Sequence, residues 1–289
     1  MRKHIIVNLK RKALEILKDK HPIRRLSGAV VGRTGLGRLL KIKINIQGDK
    51  YIFNPTALCS LYWYDSTSRN EDHEFISSFL KQDDVYLDVG ANMGVTVIPA
   101  ARSVGNKGRV IAFEPHPKIS TYLKENVALN KLNNVDIHNC AVGNQNGFIY
   151  FTNKFTDDMN QVSTSSANNI KVPIVLLDDV VKDCSNIALM KLDVEGYEKF
   201  VIEGAKETLK KVDCIYFEVS DKNFEDFGYT SRDVFALLEE CGFKLFKRER
   251  DSKQLLPVDS QYKASYEMYE NIFGVKNTAD FQKRTQWKV

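Results

Sequence analysis

The chain has 289 residues, of which 43% are hydrophobic, 10% aromatic and 27% charged. This composition is that of an ordinary globular protein and excludes collagen-like, low-complexity and largely disordered chains. No apolar run approaches the roughly 20 residues of a membrane-spanning helix, and polar residues interrupt the basic N-terminus too early for a secretory signal. Five scattered cysteines without CxxC spacing indicate a reducing compartment. We therefore expect a cytoplasmic enzyme, with peripheral contact to the inner face of the membrane left open.

Positive charge is concentrated near the N-terminus. Residues 1–43 contain thirteen Lys and Arg but only two acidic residues, a charge of +11, so the remaining 246 residues carry −6. A basic segment on a mildly acidic body suits an anionic partner such as a phospholipid surface, nucleic acid or a phosphorylated carrier, or it is simply a solvated face. Apolar residues at helical spacing in residues 1–20 predict a basic amphipathic helix, which either packs on its own domain or lies in a membrane interface.

From residue 84 onward, short β-branched runs alternate with helical patterns, as in a parallel sheet built from strand–helix–strand units. Helices are expected between the strands, including one that runs from residue 197 to 209. Residues 143–178 are rich in Asn, Ser, Thr and Asp and predict an inserted hairpin or loop over the sheet edge. The sequence thus predicts a doubly wound α/β domain over residues 71–289, preceded by a basic α/β extension of residues 1–70. We expect seven strands in its sheet, at residues 85–89, 109–113, 135–139, 187–192, 214–219, 243–246 and 271–275.

A glycine-bearing turn follows the first of these strands. Such a turn directs backbone N–H groups and a helix N-terminus at a ligand, and glycines allow close approach. The spacing does not fit the GxGxxG pattern of dinucleotide enzymes. It fits an acid followed by glycines at +2, +4 and +6, since Asp88, Gly90 and Gly94 match and Asn92 stands at +4. Asn tolerates left-handed backbone angles better than other non-glycine residues, so Asn92 is a mild departure.

An acidic residue, Glu114, closes the second strand, twenty residues after Gly94. An acid at that position can accept both hydroxyls of a ribose from a nucleoside that lies across the strand ends. The alternative is that the carboxylate only caps the following helix. Because the glycine turn precedes it in the expected register, the nucleoside interpretation is favoured.

With these motifs the sequence resembles the FkbM family of S-adenosylmethionine-dependent methyltransferases. The resemblance covers roughly residues 71–275 and does not include the N-terminal 70 residues. Four segments carry it: Asp88 to Gly94, Phe113-Glu114-Pro115, Asn139 to Gly143, and above all Met190-Lys191-Leu192-Asp193-Val194-Glu195-Gly196-Tyr197-Glu198.

The resemblance implies a Rossmann-like class I methyltransferase fold that binds S-adenosylmethionine and acts on hydroxyl oxygens of sugars or natural products. It also implies that Gly90 and Gly94 line the methionine part of the donor and that Glu114 holds the ribose. By the same resemblance, Cys140 and Ala141 lie beside the adenine.

Carboxylates also follow two later strands. Asp193 comes directly after strand 187–192, at the carboxyl end of the sheet where open α/β proteins bind ligands, and faces the cofactor cleft. Glu218 ends the next strand and should lie beside it. Methyl transfer to oxygen needs in-line approach, exclusion of water and help with the hydroxyl proton. We expect Asp193 to be the catalytic residue with Glu218 as helper, as a weak base or through a divalent ion, although the spacing defines no metal site.

Two other functions stay open at this point. A nucleic-acid methyltransferase could use the basic arm as a grip, but the sequence contains no Pro-Pro or Pro-Cys pair. It therefore lacks the tetrapeptide of nucleobase-amine methyltransferases and the nucleophile of cytosine methyltransferases. A non-catalytic scaffold is the second alternative. The expected partner is a small-molecule or glycan acceptor, lipid-linked if the arm binds membranes.

Overall fold

The computed structural model describes residues 27–28, 31, 36–68, 70–153, 160–163, 165–250, 252–264, 266 and 269–289. The amphipathic helix predicted within residues 1–20 lies outside these residues. The chain divides into a smaller unit that ends at Asn70 and a larger unit that begins at Glu71 and includes the C-terminus. Across the described residues, no helix is both long and apolar enough to span a bilayer.

The smaller unit contains a β-hairpin between short helices. Its elements are α1 (Leu36–Leu39), β1 (Lys43–Ile46), β2 (Asp49–Ile52) and α2 (Ala57–Tyr64). The alternating pattern of residues 41–46 is explained by the pleat of β1, which buries Ile44 and Ile46 and exposes the residues between them. The turn to β2 uses Gly48, whose φ of +95° favours glycine.

The larger unit contains the other strands and helices. Its strands are β3 (Val85–Val89), β4 (Arg109–Phe113), β5 (Val135–His138), β6 (Ala141–Gly143), β7 (Gly147–Phe151), β8 (Val162–Ser163), β9 (Ile170–Leu176), β10 (Ile187–Leu192), β11 (Val212–Val219), β12 (Lys244–Arg248), β13 (Leu255–Val258) and β14 (Glu270–Val275). Its helices are α3 (Asn70–Phe79), α4 (Val97–Val104), α5 (Pro117–Leu129), α6 (Leu177–Val180), α7 (Glu198–Glu203), α8 (Lys206–Lys211), α9 (Asp221–Glu225), α10 (Ser231–Glu240) and α11 (Thr278–Thr285).

The main sheet has, among the described residues, eight strands in the order β13-β12-β14-β11-β10-β3-β4-β5. Strands β11, β10, β3, β4 and β5 are parallel, whereas β14 is antiparallel to both neighbours. All seven predicted strands are present, which confirms the Rossmann-like class I architecture. The short edge strand β13 is an addition that the sequence pattern did not indicate. The chain leaves β3 toward β4 on one side and returns through β10 on the other, so a crevice opens between β3 and β10.

The segment predicted as an inserted hairpin or loop contains antiparallel strand pairs, and these belong to a second sheet. Four strands of the described chain pair in the order β6-β9-β7-β8. At the start of β9 only one face is buried, since Val172 and Ile174 are buried while Lys171 and Pro173 are exposed. A half-buried strand in a polar segment gives a weak sequence signal, which explains why the full sheet was not predicted.

The helix expected over residues 197–209 is divided into α7 and α8. The break falls at Gly204, where a Cβ would lie 2.0 Å from the carbonyl oxygen of Gly143. The close approach of β6 therefore requires glycine at this position and ends α7 there.

Candidate active site

Four carboxylates lie at the carboxyl ends of four adjacent parallel strands. Asp88 is in β3 and Glu218 in β11, while Glu114 and Asp193 directly follow β4 and β10. The main chain of Asp193 continues the sheet for one residue, since its N–H donates to the carbonyl of Val89 (3.0 Å). The predicted site residues of all four strands therefore share one edge of the sheet, at the crevice between β3 and β10.

The turn after β3 has the left-handed backbone angles that the glycine spacing predicts, but the N–H groups of residues 90–94, which were expected to face a ligand, all donate within the protein. Gly90, Asn92 and Gly94 all have positive φ, of +94°, +46° and +92°. The N–H groups of Gly90 and Ala91 donate to the carbonyl of Phe113 (3.0 and 2.9 Å), which fixes the turn to the end of β4. Asn92 thus occupies a left-handed position that Asn adopts more readily than other side chains do.

Glycine is needed at position 90 because another part of the chain approaches it. A Cβ on Gly90 would lie 1.8 Å from the carbonyl oxygen of Asp193, and one on Gly94 would lie 2.5 Å from Cδ1 of Leu123. The sequence interpretation explained these glycines by the approach of a ligand. The structure adds a second reason, which is that Gly90 lets the backbone of Asp193 pack directly against the turn.

Asp88 is fully buried beneath the turn. Its Oδ2 accepts hydrogen bonds from the hydroxyls of Tyr86 (3.0 Å) and Thr96 (2.6 Å). Its Oδ1 is also buried and accepts no hydrogen bond from any described residue. Burial raises the pKa of Asp88, while the nearby Lys191 opposes that shift. A buried acceptor without a partner is unusual and marks a place for a ligand or water donor.

Glu114 links the turn to the end of β4. Its carboxylate accepts the backbone N–H of Asn92 on Oε2 (2.9 Å) and that of His116 on Oε1 (2.8 Å). The side chain is buried and points to the turn, not away from the crevice. Each carboxylate oxygen has two acceptor sites, so hydroxyl donors can still be accepted beside these bonds.

Cys140 and Ala141 lie at the start of the second sheet. The amide of the preceding Asn139 donates to the carbonyls of Glu114 (2.8 Å) and Pro115 (3.0 Å), which holds this segment beside the end of β4. Burial raises the pKa of the Cys140 thiol to about 11. The Cys140 thiol is therefore neutral at physiological pH, and Cys140 is not a nucleophile.

The two predicted catalytic carboxylates meet a third one. Oxygen atoms of Asp193, Glu195 and Glu218 lie within 4.8 Å of one another, and all three residues are half-buried. Glu195 has a φ of +53°, and its carboxylate accepts a hydrogen bond from the Asn223 amide (3.0 Å). Three carboxylates at this spacing can accept several hydroxyl donors or bind a divalent cation. Glu195 is not among the residues that the sequence predicts for the site.

Lys191 is the second residue that sequence reasoning missed. Its Nζ donates to Oδ2 of Asp193 (2.8 Å), and both side chains are largely shielded from solvent, with exposed fractions of 8% and 18%. The signal was available, because Lys191 is two residues before Asp193 and so shares its strand face. Lys191 belongs to the segment that carries the family resemblance, but no role was predicted for it.

Glu198 has an unusual position at the start of α7. The backbone N–H of Val194 donates to its Oε1 (3.0 Å), whereas its Oε2 is buried and unbonded to any described residue. Burial, reinforced by the charge of Asp193, raises the pKa of Glu198 from 4.5 to about 7, although backbone N–H groups oppose the shift. The carboxyl is thus largely protonated below neutral pH in the folded protein.

Replacement of Glu198 by Gln is expected to stabilise the protein above neutral pH. Because folding raises this pKa, the contribution of the Glu198 carboxyl to native stability is fully present below about pH 4.5 and is lost as pH rises through about 7. Gln cannot ionise, so the advantage of Glu198→Gln should grow by about 1.4 kcal/mol per pH unit in that window, to about 3 kcal/mol. Urea unfolding at pH 5 and pH 8 measures it. The exposed Glu239→Gln is the control, and an equal advantage at both pH values would refute the expectation.

Comparison with known proteins agrees with this arrangement. The family model of the methyltransferase FkbM domain matches residues 88–245, more than half of the chain. The chain is 29% identical to the 2-O-methyltransferase NoeI of Sinorhizobium fredii over an alignment of 193 positions, which covers 60% of this chain and 78% of that protein. It is 28% identical to the hexuronic acid methyltransferase AglP of Haloferax volcanii over 165 residues, 56% of this chain and 64% of that protein.

Among solved structures, the chain is similar to a SAM-dependent O-methyltransferase from Thermotoga maritima, with 16% identity and a TM-score of 0.42. That match covers 82% of this chain and 77% of the other. The family model includes the glycine turn, Glu114 and the segment from Met190 to Glu198. The chain therefore belongs to the FkbM methyltransferase family.

Proposed function

We propose that this chain is an O-methyltransferase that uses S-adenosylmethionine to methylate a hydroxyl group of a saccharide. Membership in the FkbM family supports methyl transfer from this donor. The saccharide acceptor is supported by the similarity to a 2-O-methyltransferase and to a hexuronic acid methyltransferase. The observation that carries the proposal is the acidic trio of Asp193, Glu195 and Glu218, whose Asp193 packs its backbone against Gly90 of the glycine turn.

The residues on the β3–β4 side fit the donor. The unpartnered Oδ1 of Asp88 offers a buried acceptor, and the turn of Gly90, Asn92 and Gly94 presents backbone at the crevice. Glu114 would accept the ribose hydroxyls, and Cys140 with Ala141 would form the apolar wall beside the adenine. When bound, the donor supplies an electrophilic methyl group on a positively charged sulfur. The protein's contribution is to bind and orient it and to exclude water.

The residues on the β10–β11 side fit a hydroxyl-rich acceptor. A sugar presents several O–H donors, and three half-buried carboxylates within 4.8 Å can accept them together. We assign to Asp193 the role of accepting the proton of the reacting hydroxyl and of facing the donor's sulfonium group. Glu218 and Glu195 would orient the neighbouring hydroxyls. Orientation and proton acceptance together account for the chemistry that oxygen methylation requires.

The experiment is a methyl-transfer assay with radiolabelled S-adenosylmethionine and a panel of acceptors. The panel contains hexuronic acid glycosides, neutral oligosaccharides and total RNA, and each is tested with native and exhaustively chelated protein. We expect label in a saccharide hydroxyl, unchanged by chelation. Transfer to RNA would contradict the proposed acceptor class. Loss of transfer on chelation would mean that Asp193 acts through a bound cation and not as a weak base.

A further inference from the structure

Lys191 lies at the centre of the site on the sheet. In register, its Cα is opposite Asp88 of β3 on one side and Tyr216 of β11 on the other. Paired residues of neighbouring strands point to the same face. Lys191 therefore lies beside the carboxylate that we assign to the donor side and, two residues along its own strand, beside Asp193 of the acceptor side.

The surroundings of this lysine are acidic and largely shielded from solvent. Its side chain is 8% exposed, and its Nζ donates to Asp193 Oδ2 at 2.8 Å. Burial alone lowers the pKa of a lysine, but the carboxylates of Asp193, Asp88 and, more weakly, Asp72 raise the pKa of Lys191 above its ordinary value. Asp72 of α3 accepts a hydrogen bond from the Tyr216 hydroxyl. Lys191 is thus a cation among acidic side chains.

Stability alone is a poor explanation for such a pair. Moving two charges out of water costs about as much as their attraction returns, and apolar residues of similar volume usually do as well or better. The strand around it is otherwise apolar, with Met190 and Leu192 fully buried. The ion pair matters for Asp193, because the carboxylate of Asp193 has Glu195 and Glu218 as like-charged neighbours. Without a cation, that carboxylate would face only like charges and would turn toward solvent.

We propose that Lys191 is a positioning residue of the methyl-transfer site, whose ammonium group holds the Asp193 carboxylate in the orientation that meets the donor's sulfonium. This inference rests on the proposed function, because it takes the donor to be S-adenosylmethionine. Lys191 acts through Asp193 and does not itself touch the reacting atoms.

The test compares two ligands that differ in charge at the sulfur. S-adenosylmethionine carries the positive sulfonium, and its product S-adenosylhomocysteine carries a neutral thioether. Calorimetry on chelated protein gives both affinities and their ratio. We expect Lys191→Met to shift this ratio about tenfold toward the thioether, since a lost charge contact of about 1.4 kcal/mol corresponds to tenfold. Lys191→Arg keeps the positive charge and should therefore keep most of the native affinity ratio. A purely structural role would weaken both ligands equally.

The controls separate the possible outcomes. Lys210→Met removes an exposed lysine from its pair with Glu207 and should leave the ratio unchanged. Asp193→Asn should shift the ratio as Lys191→Met does, and the double variant no further, because the two residues act as one unit. An unchanged ratio in folded Lys191→Met, or a shift toward the sulfonium ligand, overturns the proposal.

If Lys191→Met does not fold, the double variant decides the matter. The double variant of Lys191→Met and Asp193→Asn removes both charges of the pair and is expected to fold. Its affinity ratio should equal that of Asp193→Asn alone. An unfolded double variant, or a further shift of its ratio, would show that Lys191 acts independently of Asp193 and would overturn the proposal. A native protein that binds neither ligand is a different result, since it overturns the proposed function itself.

Discussion

Gly90→Ala is expected to cost the protein on the order of 4 kcal/mol of stability. A non-glycine residue at a φ of +94° pays about 1–2 kcal/mol in backbone strain, and an inserted methyl group without space adds about 1–3 kcal/mol. The added Cβ would meet the carbonyl oxygen of Asp193 at 1.8 Å, and backbone cannot yield as a flexible side chain does. The loss is a large part of the roughly 5–15 kcal/mol that holds a domain folded.

Gly228 offers a matched control for this variant. Its φ of +75° is also positive, but a Cβ there would have nothing within 4 Å. Gly228→Ala should therefore show the backbone cost alone, about 1–2 kcal/mol. Urea unfolding of both variants measures the difference. Equal losses of stability in the two variants would mean that the turn does not pack against Asp193. The site residues of β3 and β10 would then not lie together as described.

Asp193→Asn is expected to reduce turnover by about 10²–10⁴-fold, the usual contribution of a positioned proton acceptor. Asn has the shape of Asp but cannot accept the hydroxyl proton or stabilise positive charge. The donor should still bind, within about tenfold of the native affinity, because the turn and Glu114 are unchanged. Single-turnover kinetics with the saccharide acceptor identified by the methyl-transfer assay measures the chemical step.

The control for that variant is Asp83→Asn. Asp83 is exposed, precedes β3 and so lies at the opposite edge of the sheet from the site, and its positive φ suits Asn. We expect native turnover from it. Native turnover in Asp193→Asn would remove this residue from the chemistry and leave Glu218 or Glu195 as the proton acceptor.

Much of the scaffold could be predicted from the sequence because its signals are local. Parallel strands buried on both faces appear as continuous apolar runs, and each ends at a turn. The residues after those runs, such as Glu114 and Asp193, then fall at one edge by the geometry of parallel sheets. The glycine spacing together with Glu114 then indicates a nucleoside as the ligand.

The remainder of the site depends on contacts between distant segments. Glu195 itself has a positive φ, and its side chain turns back toward Asp193 and Glu218 at the strand ends. The spacing of the sequence does not reveal this turn. The reason for glycine at position 90 is the backbone of Asp193, more than one hundred residues away. The assignment of residues 71–289 to the methyltransferase domain and the role of the basic N-terminal residues stay predictions.

The most direct test of the donor site is a calorimetric titration of S-adenosylmethionine into native protein and into Glu114→Gln. We expect one saturable site in the native protein, displaced by S-adenosylhomocysteine, and an affinity at least about tenfold lower in Glu114→Gln, because an amide replaces one acceptor oxygen of the carboxylate by a donor. The proposed donor site would be contradicted by a native protein that gives no binding heat and retains neither ligand on dialysis. It would also be contradicted by a Glu114→Gln protein that binds as tightly as the native one.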